Sequence, residues 1–271
     1  MTAKADARGT GAVLTSRIVP AKPALGKPSL PEPARALLRE AQAALQAGRP
    51  HQAAAAVRRL AKLKDGTVDA LNAGAWIAHQ AGDPRTAARL LEQSLAAAPD
   101  QVEALSNLAS LYHADGRHDA AIALLDRALA HDGAAASLHY NRANALKARG
   151  RLADAEQAFR AAIARDGAQP AFHGNLANTL VALDRPEDAV AAYRASLLTR
   201  VGLTELIARD PEGYVAAAAA LARDRERLAA LRAGLRARAA ATLGDATSFA
   251  RAVEAAYRAI WIAWCAQRPG G

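Results

Sequence analysis

The 271-residue sequence contains one cysteine, few aromatic residues and no long apolar run. The single cysteine, Cys265, excludes an intramolecular disulfide. Aromatic residues make up only 4% of the chain, so alanine and leucine must supply most of the core. The longest apolar runs are far too short to cross a bilayer, and the first 33 residues lack the apolar stretch of a signal peptide. We therefore expect a cytoplasmic protein that makes no membrane contact.

The positive charge is not concentrated anywhere in the chain. The net charge is +9, and three segments contribute +3 each. Residues 1–33 contain 5 basic and 2 acidic residues, residues 34–203 contain 20 basic and 17 acidic residues, and residues 204–271 contain 10 basic and 7 acidic residues. A nucleic-acid site needs basic residues gathered on one face beside stacking aromatics, and no such cluster occurs. The composition thus predicts an arginine-rich solvated surface and no nucleic-acid partner.

Signatures of catalysis and cofactor binding are also missing. The sequence has no phosphate-binding glycine loop, no dinucleotide fingerprint and no Ser/His/Asp constellation. Among the seven histidines, His139 and His173 are separated by 34 residues and so occupy one repeat position, while His113, His118 and His131 lack metal-ligand spacing. We therefore predict no catalytic residue, no cofactor and no metal in this chain.

What the sequence has instead is a period of 34 residues. Two series of alanines and one of glycines follow this step, and Asp184 occupies the fifth glycine position. The series are Ala41, Ala75, Ala109, Ala143 and Ala177; Ala53, Ala87, Ala121, Ala155 and Ala189; and Gly48, Gly82, Gly116 and Gly150. This period and spacing are typical of the tetratricopeptide repeat, a helical hairpin in which small residues let two helices approach closely and a glycine ends the first helix.

The period predicts an all-α solenoid of five hairpins with a C-terminal helical extension. The expected repeats are residues 34–67, 68–101, 102–135, 136–169 and 170–203. Residues 1–33 contain five prolines without periodicity and are expected to form a disordered leader. Two repeats depart from the pattern, because Glu40 and Arg142 replace a usual leucine.

The first helix of each hairpin should line the concave side of such an array, and polar residues recur there. The predicted peptide-binding residues are Asn107, Ser110, Asn141, Asn144, Asn175 and Asn178. An amide side chain both donates and accepts hydrogen bonds, so a column of asparagines could hold the backbone of an extended peptide. The alternative is that these asparagines bridge neighbouring helices or face water. Capture of an acidic C-terminus is not expected, because the adjacent repeat position holds Asn72, Ser106, Tyr140 and Gly174 instead of Lys or Arg.

Beyond the repeats, residues 204–271 form a predicted helical tail. Asp210 and Asp224 are expected helix caps. A last helix after Gly244 would carry an apolar stripe, comprising Phe249, Val253, Tyr257, Ile260, Trp261 and Trp264. We expect this stripe to fold back on the fifth hairpin or to bury itself against a second copy or a partner.

Residues 194–267 resemble the C-terminal end of the bacterial and SPINDLY-like branch of the protein O-linked N-acetylglucosamine transferases. The resemblance rests on short matches that include Ser196-Leu197-Leu198, Val201-Gly202-Leu203, Glu205-Leu206-Ile207-Ala208, Ala256-Tyr257-Arg258, Trp261 and Trp264-Cys265. The resemblance implies transfer of sugar from UDP-N-acetylglucosamine to Ser or Thr. The catalytic core that such enzymes place between repeats and tail is absent, so no functional residue can be transferred from the family.

These patterns predict a scaffold that binds proteins or peptides and is related to such a transferase through loss of its core. The alternative is a transferase that works with a companion catalytic chain. An intact enzyme of the same family, or a second copy bound through the tail, is a further expected partner.

Overall fold

The protein is described by a computed structural model that covers residues 30–63, 67–208 and 210–242. Within these ranges the chain forms twelve α-helices, one short 3₁₀ turn and no strand. The helices are α1 Glu32–Gln46, α2 Pro50–Leu60, α3 Val68–Gln80, α4 Pro84–Ala97, α5 Val102–Ala114, α6 His118–His131, α7 Ala136–Ala148, α8 Leu152–Arg165, α9 Pro170–Ala182, α10 Pro186–Arg200, α11 Pro211–Arg223 and α12 Arg225–Thr242. The prediction of an all-α chain is confirmed. Residues 1–29 of the predicted leader and the apolar stripe of the tail lie outside the described residues. At the end of the predicted leader Leu30 is buried and α1 already begins at Glu32.

The helices fall into two compact units, Met1–Ala114 and Asp115–Gly271. In the first unit, α1 packs against α2 and α3 against α4, and α5 lies on α4. In the second unit, α7 packs against α8 and α9 against α10, with α6 on α7. Each unit therefore contains two complete hairpins made of consecutive helices.

The ten periodic alanines belong to the core of the helical array. All ten are at most 3% exposed. Protein interiors are close-packed, so a bulkier side chain at these buried positions would have to displace its neighbours. The 34-residue period of these alanines thus marks buried positions of the helices.

The turn inside each hairpin depends on a left-handed residue. Gly48, Gly82, Gly116 and Gly150 have φ between 68° and 79°, and Asp184 has φ 58°. Glycine adopts this conformation without a Cβ penalty, and aspartate is among the few other residues that tolerate it. Asp184 therefore does take over the role of glycine in the last hairpin.

The two departures from the repeat pattern form ion pairs. Glu40 accepts a hydrogen bond from Arg59 of α2 at 2.9 Å, and Arg142 donates to Asp126 of α6 at 2.5 Å. Both pairs are partly exposed, so each contributes at most about 1 kcal/mol. Because each charged residue is paired and partly exposed, it can replace the usual leucine without leaving a buried, unpaired charge.

The described part of the tail is helical and has the predicted caps. Asp210 Oδ1 accepts from the Gly213 N–H at 2.6 Å, and Asp224 Oδ1 accepts from the Arg227 N–H at 2.9 Å. Arg227 also donates to Glu205 at 2.5 Å, which ties α12 to the 3₁₀ turn Thr204–Leu206. Three large apolar side chains on α11 and α12 are exposed, namely Tyr214, Val215 and Leu235.

Candidate functional site

In the first unit, a small groove opens between α3, α4 and α5. It is lined by Ala75, Trp76 and His79 of α3, Leu91 of α4, and Asn107 and Leu111 of α5. Residues three apart on a helix share a face, so Trp76 and His79 present one continuous surface. The groove therefore combines an apolar floor with three polar groups.

The indole N–H of Trp76 is the least satisfied polar group of the groove. Its Nε1 atom is buried and has no hydrogen-bond acceptor among the described residues. A buried donor left without an acceptor costs about 1 to 3 kcal/mol. An acceptor brought by a ligand would remove that penalty.

The two other polar groups of the groove are neutral. Burial lowers the pKa of His79, so its imidazole is uncharged at neutral pH. Asn107 is half-buried, and its amide makes no hydrogen bond within the described part of the chain. The groove thus offers neutral donors and acceptors but no fixed charge.

Ser110, also predicted to bind peptide, does not join this groove. It is only 5% exposed, and its hydroxyl donates to the Ser106 carbonyl oxygen of the same helix at 3.0 Å. A serine can turn back in this way because its short side chain reaches the carbonyl one turn earlier. Its role in peptide binding stays a prediction.

In the second unit, Tyr140 gathers two of the predicted asparagines. Its hydroxyl accepts from Asn175 Nδ2 of α9 at 2.9 Å and hydrogen-bonds the Asn144 side chain of its own helix. Its ring stacks on Phe172 with 4.7 Å between centroids and leans on Phe159 at 5.8 Å. Burial raises the pKa of Tyr140, and the Asn144 hydrogen bond opposes that rise. These contacts fix the asparagines of α7 and α9 in one cluster.

The remaining asparagines of this unit lie beside that cluster on the same helices. Asn178 Oδ1 accepts from the Tyr193 hydroxyl of α10 at 2.6 Å, and burial raises the pKa of Tyr193. Asn141 is half-buried on α7, three residues before Asn144. The structure thus ties Asn144, Asn175 and Asn178 to neighbouring side chains, as the bridging alternative anticipates, while Asn175 keeps Oδ1 and Asn178 keeps Nδ2 available.

Three residues of these surfaces are absent from the sequence-based prediction. Trp76 occupies the same repeat position as Ser110, Asn144 and Asn178, and His79 the same position as His113 and Lys147. Trp76 lies two 34-residue steps before Asn144, and His79 lies two such steps before Lys147, so the period itself indicates both residues. Lys147 lies at the repeat position of His79 and not at that of Asn72 and Tyr140, so the lack of basic residues at the latter position gives no sign of it.

The predicted repeat histidines are structural. His139 Nε2 donates to the Gly133 carbonyl oxygen at 3.1 Å, and His173 Nε2 donates to the Gly167 carbonyl oxygen at 2.9 Å. Both bonds close the same turn before a first helix. No group of three or more potential metal ligands occurs among the residues with described positions.

Comparison with known families decides what the hairpins are. Two family models, both described as tetratricopeptide repeat, match residues 78–145 and residues 38–83 and 140–201. The hairpins are tetratricopeptide repeats. The matched ranges together run from residue 38 to 201, so they end before the tail and leave its resemblance to the transferases a prediction.

Solved structures agree with this fold. The chain is similar to MamA 41-end from Desulfovibrio magneticus RS-1, with a TM-score of 0.58 and 17% identity over 64% of this chain and 98% of that one. It is also similar to a structure described as the crystal structure of MamA, with a TM-score of 0.54 and 19% identity over 59% and 93% of the two chains. At these identities the likeness shows the fold alone. No curated protein matches the sequence. Among the helices of known position, none has both the length and the apolar character needed to cross a membrane.

Proposed function

We propose that this chain is a scaffold that binds extended segments of other proteins through the exposed faces of its first helices. The observation that carries the proposal is the groove of the first unit. There the buried indole N–H of Trp76 lacks an acceptor, and the Asn107 amide lies beside it without a hydrogen bond. Tetratricopeptide arrays present extended surfaces of this kind.

An extended peptide would reach Asn107 directly: a carbonyl oxygen would accept from Asn107 Nδ2, and a peptide N–H would donate to Asn107 Oδ1. A second carbonyl oxygen would accept from the Trp76 indole once the ring turns its buried N–H toward the groove. The apolar floor formed by Ala75, Leu91 and Leu111 would receive one side chain of the peptide.

In the second unit, the Tyr140 cluster would hold its asparagines ready for binding. A side chain already fixed by internal hydrogen bonds loses less conformational entropy when it binds. Asn175 would accept through Oδ1 and Asn178 would donate through Nδ2, since their other amide atoms are occupied. Asn141 and Asn144 would add contacts along α7.

Peptides selected from a displayed random library on the full chain would test this proposal. Fluorescence anisotropy should show weaker binding by Asn107→Ala or Asn178→Ala, because each loses a neutral hydrogen bond worth about 0.5 to 1.5 kcal/mol, or about two- to twelvefold in Kd. The matched controls are Gln93→Ala on α4 and Gln157→Ala on α8, two exposed amides of second helices. Binding that is insensitive to the asparagines but lost in either glutamine variant would overturn the proposal.

The competing function is a protein O-linked N-acetylglucosaminyltransferase that acts with a companion catalytic chain. It rests on the resemblance of residues 194–267, in which the last part of α10, the 3₁₀ turn, α11 and α12 are described. Diphosphate recognition needs a basic clamp or a set of backbone amides in a cleft. We expect no binding when the purified chain is titrated with UDP in a calorimeter. Saturable micromolar binding would favour the transferase.

The tail and the location of the protein complete this proposal. The tail would serve as a cap, a self-association element or a contact with an intact transferase, and the protein would act in the cytoplasm. Light scattering of the full chain against a chain ending at residue 242 would test self-association. Loss of an oligomer on truncation is the outcome expected if the stripe from Phe249 to Trp264 joins two copies.

A further inference from the structure

The helices α11 and α12 differ from the ten helices of the repeats because they have no core of their own. Each of the helices α1 to α10 buries four to seven residues. In contrast, no side chain described in α11 or α12 is buried. These two helices have 13 and 18 residues, and helices of such length depend on tertiary packing for most of their stability. The pair therefore needs a further apolar partner.

The surface that these helices leave open lies on one side of α11. Residues three, four, seven and eight positions apart share a helix face. One such set on α11, which we call the α11 face, is apolar and exposed throughout: Tyr214, Val215, Ala218 and Ala222. Tyr214 and Val215 are 66% and 64% exposed, and Leu235 of α12 is 42% exposed. The exposed large apolar side chains of the described residues are thus all on this pair of helices.

The sequence that follows α12 carries a matching surface. Six residues, 243–248, separate the end of α12 at Thr242 from Phe249, the first residue of the apolar stripe. A connection of about 2 to 8 residues joins helices that lie antiparallel as neighbours. The large side chains of the stripe suit the α11 face, where alanines lie beside larger residues, because large and small side chains interdigitate at a helix contact.

We propose that residues 249–264 form a third helix that runs back along α12 and covers the α11 face. In this arrangement the first turns of the segment meet Leu235, and its aromatic end, from Tyr257 to Trp264, packs on Ala218 and Ala222. The chain itself is favoured over a second copy as the partner, because a short flexible linker holds two surfaces at an effective concentration in the millimolar range. The inference takes up the cap role proposed for the tail and assigns it a surface, and it does not depend on peptide binding.

Cys265 provides a direct test of this docking. It is the single cysteine and follows Arg258 by seven residues, so a helical segment would carry it on the polar side, away from the stripe. A nitroxide attached to Cys265 of the full chain broadens the NMR signals of nearby backbone amides. The 16 residues from Phe249 to Trp264 span about 24 Å as a helix, so docking brings Cys265 back to the start of α12. Broadening should be strongest in α11 and in the first turn of α12. Broadening that is strongest at residues 240–242, or that falls on α9 and α10, would overturn the inference.

Two further samples separate this docking from its alternatives. An isotope-labelled Cys265→Ser chain, mixed with the nitroxide-bearing chain, reports contacts between copies, and broadening of its α11 signals would show that a second copy covers the face instead. Ala218→Asp places a charge on the α11 face, and Ala220→Asp is the matched control because Ala220 is exposed on α11 outside that face. The broadening of α11 should be lost in Ala218→Asp and kept in Ala220→Asp. Equal broadening in the two variants, whether kept or lost, would contradict the docking. Each of these failures leaves the peptide-binding proposal standing, since the asparagine variants test that proposal separately.

Discussion

Gly150 provides a sharp test of how the hairpin turns work. Its φ is 76°, and a Cβ added there would meet no atom within 4 Å. The penalty for alanine therefore comes from the backbone alone. Alanine in the left-handed conformation costs about 1 to 2 kcal/mol. The lower conformational entropy of the unfolded variant offsets about 0.4 to 1 kcal/mol of this cost. Gly150→Ala should thus lower the free energy of unfolding by about 1 kcal/mol.

Two matched substitutions should give the opposite sign. Asp184 holds the same turn position with φ 58°, so Asp184→Gly should raise the free energy of unfolding, by up to about 1 kcal/mol. Gly234 lies inside α12 with open space around it, so Gly234→Ala should stabilise that helix by about 1 kcal/mol. Urea unfolding followed by circular dichroism measures the first two, and hydrogen exchange of the α12 amides measures the third. A neutral or stabilising Gly150→Ala would refute the turn argument.

Three further substitutions have expected outcomes that urea unfolding can check. Phe159→Ala should destabilise the protein by about 3 to 5 kcal/mol because this ring is completely buried, and a loss below 1 kcal/mol would contradict its place in the core. Tyr140→Phe should cost about 1 kcal/mol, since Asn175 loses a hydrogen bond, and an unchanged midpoint would show that the cluster contributes nothing to stability. Asp83→Asn should cost at most about 1 kcal/mol, because asparagine caps α4 about as well as aspartate and only the charge interaction with Arg58 is lost. Burial raises the pKa of Asp83, but hydrogen bonds from Thr86 and Arg58 outweigh it and hold the pKa below its usual range. The wild type should therefore lose this stabilisation as the pH falls below about 3.9 and through the lower folded value, and Asp83→Asn should not.

The fold could be predicted from the sequence because its determinants are periodic. Each periodic alanine marks a helix contact, and each glycine marks a turn, so the 34-residue step fixes both the kind of hairpin and its approximate ends. The exception at Asp184 was also predictable, since aspartate is one of the few residues that can replace a left-handed glycine. Local chemistry alone decides these features.

The candidate site was less predictable because it depends on packing between helices. The sequence places Asn144 and Asn178 at one repeat position and Asn175 three residues before Asn178, but it does not show that Tyr140 and Tyr193 hydrogen-bond their side chains. Nor does it show that the Trp76 indole N–H is buried without an acceptor among the described residues. Burial is set by neighbours on other helices, such as Leu91 and Asn107 around Trp76, which no local pattern contains.

The central claim is that peptide binds on the first helices of the hairpins. Backbone amide NMR of the full chain, titrated with a library-selected peptide, tests it most directly. The account predicts that the largest shift changes fall on α3 and α5 in the first unit and on α7 and α9 in the second, with Trp76 Nε1–H among the signals that move. Changes concentrated on α2, α4, α8 and α10, with the Trp76 indole signal unmoved, would contradict it.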